Sequence, residues 1–100
     1  MRFAIQFDIP IDVGNAFEKD PKAAELLAKV MEPMKPEAAY FCSTRRYGIV
    51  IVNADSQEEL TKMIFPIWHV FKTYPQVDPV MGLEELPERL RQMSELAKNI

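Results

Sequence analysis

Tyr47-Gly48-Ile49-Val50-Ile51-Val52-Asn53-Ala54 carries an unbroken apolar run, Ile49 to Val52, that falls on both faces of an extended chain. A strand apolar on both faces is covered on both sides and lies in the middle of its sheet. The apolar run Ala38 to Cys42 precedes it. Ser43-Thr44-Arg45-Arg46 separates the two, a length suited to a β-hairpin connection.

Working outward toward the N-terminus, Phe3, Ile5, Phe7 and Ile9 alternate with Ala4, Gln6 and Asp8, the period of two that marks a strand with one apolar and one mixed face. Pro10 to Gly14 reads as a loop. Asp20-Pro21 is the main helix start, because aspartate caps and proline tolerates the first helical position, and Asn15 with Glu18 offers a weaker, earlier cap. Ala23, Leu27, Val30, Met31 and Met34 then recur at helical spacing, and the helix ends by Pro33 or Pro36. Toward the C-terminus, Ser56 and Glu59 form a capping box for a helix over about 57–74, with Leu60, Ile64, Ile67, Trp68 and Phe71 on one side and a kink or tightening expected at Pro66. Val77 to Met81 is a short strand. Its Pro79 cannot donate to a ladder and assigns it to a sheet edge. Pro87 opens a last helix striped by Leu90, Met93, Leu96, Ala97 and Ile100.

The order β-α-β-β-α-β plus a C-terminal helix is the split βαβ arrangement, an α+β, ferredoxin-like fold with an antiparallel four-stranded sheet. It has the first and third strands central and the second and fourth at the edges. Helices cover one face of such a sheet. The second apolar face of the third strand therefore calls for the same sheet of a second copy, and a homodimer is expected.

The 100 residues suit a single domain spanning 1–100, and 48% hydrophobic with 27% charged residues is ordinary globular composition. A net charge of −3 lacks the Lys and Arg excess that phosphate binding demands, so no nucleic-acid partner is expected. The short Arg45-Arg46 run falls far below a polybasic membrane anchor, so no membrane partner is expected either. Met1 to Pro10 lacks the continuous apolar stretch of a signal peptide, and the lone Cys42 has no partner for an internal disulfide. The expected location is the reducing cytoplasm.

Ile9-Pro10, Gly14-Asn15, Pro36-Glu37-Ala38-Ala39-Tyr40-Phe41, Arg46, Pro66, Pro79-Val80-Met81 and Glu84-Glu85-Leu86 together resemble a family of small bacterial proteins, itself uncharacterised, within the dimeric α/β-barrel superfamily. The resemblance runs through nearly the whole chain. It departs at Thr44-Arg45, where a hairpin glycine would be expected. The superfamily includes muconolactone isomerases, antibiotic-biosynthesis monooxygenases, polyketide cyclases, haem-handling enzymes and ligand-sensing domains, so one scaffold carries many functions. For this chain the resemblance implies a dimeric barrel binding a small, partly apolar organic molecule, with cofactor-free isomerase, cyclase or monooxygenase-like chemistry. The alternative is a noncatalytic ligand-sensing or assembly module whose barrel is filled by its own side chains.

Asp8 and Gln6 share the strand face opposite the Phe-Ile stripe, where such a barrel has its interior, and Asp8 is the candidate proton-transferring carboxylate. Its bland reading is a solvated strand end. Tyr40 and Arg46 flank the hairpin as candidate catalytic residues, since arginine holds a carboxylate or enolate oxygen and tyrosine donates a proton; otherwise one fills core and the other is solvated. Trp68 and Met81, with Met63, Phe65 and Phe71, are candidates to line an apolar ligand pocket between sheet and helices, against the plainer reading as core, with Phe65 partly exposed. Cys42, also a candidate pocket residue, is expected as a buried, inert thiol. His69, the single histidine, falls with Glu58, Lys62 and Thr73 opposite the apolar arc of its helix and reads as a surface residue. With one His and one Cys, no zinc spacing exists, and neither a metal nor a cofactor is expected.

Overall fold

A computed structural model describes all residues from Met1 to Ile100. In chain order the elements are β1 (Arg2–Asp8), α1 (Ile11–Lys19), α2 (Ala23–Met31), β2 (Ala38–Phe41), β3 (Tyr47–Asn53), α3 (Gln57–Phe71), β4 (Gln76–Pro79) and α4 (Leu86–Ala97), with 3₁₀ turns at Glu32–Met34 and Leu83–Glu85. The four strands form one antiparallel sheet in the order β2-β3-β1-β4, compatible with a ferredoxin-like fold. β1 and β3 are central, as their apolar composition requires. β4, which ends at Pro79 opposite Phe3, is an edge.

Strand alternation divides the sheet into two unlike faces. Ile5 and Phe7 of β1 and Val50 and Val52 of β3 point into a core completed by Val30, Met34, Met63, Ile67 and Phe71 from the helical side. Phe71 lies stacked against Phe7 at 5.5 Å between ring centres and meets Phe17 of α1 at a tilt, 5.4 Å away. The helices thus cover one face and leave the other open.

α3 begins with the expected cap: Ser56 Oγ accepts from the backbone N–H of Glu59 at 3.1 Å, while the Glu59 carboxylate accepts from the backbone N–H of Asp55 rather than that of Ser56. The helix runs through Pro66 as one element and closes on Lys72, whose φ of 55° is left-handed.

The expected loop over Pro10–Gly14 is instead the start of α1. Gly14 is a weak helix former, yet here its missing side chain makes room for Arg46, and a Cβ added at Gly14 would come within 2.4 Å of Arg46 Cδ. Arg46 also donates to the Ile11 carbonyl at 3.1 Å, to Asn15 Oδ1 at 3.0 Å and to Glu18 Oε1 at 2.5 Å. A side chain from the hairpin therefore braces α1 along its length, although the helix has no side-chain cap of its own. Asp20 ends α1, and its carboxylate accepts from the backbone N–H of Lys22 at 2.8 Å at the start of the next helical segment.

α4 departs from the body. Every residue from Pro87 to Ile100 is exposed. The molecule measures 57 × 28 × 23 Å. Its radius of gyration is 16.8 Å, against about 13 Å for an ordinary 100-residue domain. No helix is long and apolar enough to cross a membrane.

Candidate functional site

The open face of the sheet gathers the polar strand positions expected to carry function. Register pairs Gln6 with Ile49, Asp8 with Tyr47, Ala4 with Ile51 and Tyr40 with Ile49, so all of these side chains share one face. Its floor is apolar, with Ile49 and Ile51 half-buried at the centre and Ala4 buried between strands. Around that floor stand groups able to hydrogen-bond. Tyr47 donates its hydroxyl proton to Gln6 Oε1 in a short contact. Asp8 is exposed at the strand end, and Tyr40 is 68% exposed on the edge strand. Gln76 and Asp78 of β4 reach the same face, with Gln76 Nε2 donating to Asp78 Oδ2 at 2.9 Å.

At one end of this face, Arg2 Nε donates to Glu37 Oε2 at 3.1 Å and Asn53 Nδ2 donates to Glu37 Oε1, so Glu37 bridges β1 and β3. At the other end, the Arg45 guanidinium lies 4.4 Å from the centre of the Tyr47 ring. Tyr47 and Arg45 are the residues that the reading of the sequence passed over. The signal for Tyr47 was available, since it opens β3 in phase with Ile49.

The remaining candidates lie elsewhere. Arg46 directs its guanidinium to α1, as described, and not to a common site with Asp8 and Tyr40. Trp68 does not line a cavity between sheet and helices, because that space is filled by Met63, Ile67 and Phe71. It contacts Phe65 and Tyr74 edge-on at 6.0 and 5.8 Å and borders an open surface groove of about 480 Å³ with His69, Lys72 and Thr73. His69 is exposed, as expected, and stacks on the half-exposed Phe65 at 5.4 Å. Met81 borders a separate hollow with Arg2, Asn53, Glu85 and Arg89. No cluster of His, Cys, Asp and Glu side chains has the arrangement of a metal site.

Cys42 corrects the expectation of a buried, inert thiol. β2 ends at Phe41, and the thiol beyond it is exposed. Its Sγ lies 3.2 Å from Thr44 Oγ1. Hydrogen bonding from the Thr44 side chain, then from the Thr44 backbone, holds the thiol below its ordinary pKa against desolvation, with smaller help from the Arg45 backbone and charge. A lowered pKa means more thiolate near neutral pH. Iodoacetamide should therefore modify Cys42 faster than it modifies a free cysteine, and Thr44→Val should slow the reaction; equal rates in the two proteins would show that the hydroxyl has no hold on the thiol.

No protein-family model matches the chain, and none of the curated proteins is significantly similar to it.

Proposed function

We propose that the chain is a homodimeric α/β barrel of the ferredoxin-like kind that binds a small, partly apolar organic molecule between the open faces of two sheets. The observation that carries the reading is the composition of that face: a half-buried apolar floor of Ile49 and Ile51, ringed by Gln6, Asp8, Tyr40 and Tyr47. An apolar surface with a few convergent polar groups is the usual setting for an organic ligand. Closing a second sheet over it would exclude water and strengthen each polar contact.

In this reading Tyr47 and Gln6 orient the ligand through their shared hydrogen bond, Asp8 takes or gives a proton, and Tyr40 donates from the edge. The chemistry is then cofactor-free proton transfer of the isomerase or cyclase type, or monooxygenase-like oxidation of a bound phenol-type aromatic to a quinone, with molecular oxygen as the oxidant and water as the other product. Arg46 acts from a distance, by bracing α1. A noncatalytic assembly module is the second reading, favoured by the exposed apolar stripe of α4.

Native mass spectrometry of the purified protein tests the proposal. The expected spectrum is a dimer carrying a non-covalent adduct of small mass, displaced in Asp8→Asn and Tyr40→Phe while the melting transitions stay within about 1 kcal/mol of the parent. A monomer across the micromolar range would sink the barrel. A dimer whose adduct survives both substitutions would remove Asp8 and Tyr40 from the site.

A further inference from the structure

α4 exposes its apolar residues instead of burying them against its own chain. Leu90, Met93, Leu96 and Ile100 are all more than half exposed. Within α4, Leu86, Leu90, Met93 and Ala97 follow steps of four, three and four, the repeat that keeps one seam of a helix facing a second helix, and Ile100 continues the spacing past the helix end at Ala97. The opposite side is closed by ion pairs within the helix, Glu88 with Arg91 at 2.5 Å and Glu95 with Lys98 at 3.1 Å. One side is thus finished for water, and the other is not.

The position of the helix is equally informative. Glu85 and Arg89, at its base, border a hollow with Arg2 and Asn53, which belong to the open face of the sheet. The helix therefore leaves the body beside the surface proposed to receive a second copy. A four-stranded sheet with strands no longer than seven residues offers a flat footprint of roughly 440 Å² at most. Standard-size interfaces bury about 800 Å² of accessible surface per partner, so the sheet face alone makes a small one. A helix this short also gains too little from its own backbone to stand in water unaided. The missing contact area and the unfinished helix answer one another.

We propose that α4 is a dimerisation arm whose seam packs against the α4 of a second copy of this chain, an inference that rests on the sheet-face dimer proposed above. Two-fold pairing of one seam with itself is the simplest self-complementary contact, and centring it on the middle of the repeat brings Met93 near its symmetry mate in either helix direction.

Light scattering on the full chain and on the double variant Leu90→Lys with Met93→Lys tests the arm, with Ile51→Lys as a probe of the sheet face and circular dichroism to confirm folding. The expected result is twice the chain mass for the parent and the single-chain mass for the arm variant over the micromolar range. Because α4 is exposed from Pro87 onward, the body of the variant should remain folded. In a Cys42→Ser background, oxidation of Met93→Cys should give a covalent dimer and Lys98→Cys should not. If Ile51→Lys separates the copies while the arm variant stays dimeric, the sheet dimer stands and the arm is refuted. A monomeric parent refutes both.

Discussion

Phe71→Ala is expected to destabilise the fold by about 3–5 kcal/mol, the range for deleting a buried aromatic ring from a core that does not collapse. Phe71 is 1% exposed and closes the last turn of α3. It lies nearly parallel to Phe7 of β1, with 11° between ring planes, and meets Phe17 of α1 at 46°. One side chain thus joins the central strand to both the first and the third helix. Removing it leaves a cavity bordered by the Phe7 and Phe17 rings, and the lost ring contacts add to the lost burial. Urea unfolding followed by circular dichroism should show the midpoint falling with little change of slope. A loss below about 1 kcal/mol would mean that the site refills.

Gly48→Ala carries the second large effect, about 1–3 kcal/mol of destabilisation from overpacking. Alanine is ordinarily the better strand residue by about 0.5–1 kcal/mol, so propensity alone predicts the opposite sign. Space decides against it. A Cβ at Gly48 would lie 2.7 Å from Phe7 Cζ and 3.1 Å from Phe41 Cε1. Phe7 is held from one side by Phe71 and from another by Phe41, whose ring stands edge-on to it at 6.1 Å. The ring can yield only by giving up one of these contacts. A midpoint equal to or above that of the parent would show that Phe7 moves freely, and would weaken the case for Phe71 as well.

Most of the sheet was legible in the sequence because strand alternation needs no tertiary information. Phe3, Ile5 and Phe7 on one face of β1, and the two-sided apolar run of β3, are enough to make both strands central. The face shared by Gln6 and Asp8 follows from the same period. α1 was not legible, because Pro10, Gly14 and Asn15 all speak against a helix, and the compensating groups come from Arg46, 28 to 35 residues further along the chain. The position of Arg46 itself was visible, but not the direction of a long side chain with several rotatable bonds. Cys42 was misread for a smaller reason. The strand ends one residue earlier than its apolar run, and beyond that point alternation no longer assigns a face.

The pairing of β1 also bears on how the chain is made. β1 precedes both of its partners in the chain: β3, whose register runs from Tyr47 to Asn53, and β4, which ends at Pro79. Both backbone edges of an alternating apolar strand therefore wait until most of the chain has followed, and the sheet cannot close on a ribosome-bound fragment that stops before β4. Such distant pairings raise the contact order and slow folding relative to a helical protein of the same length. During that interval Phe3, Ile5 and Phe7 remain the part of the nascent chain that chaperones have most reason to hold.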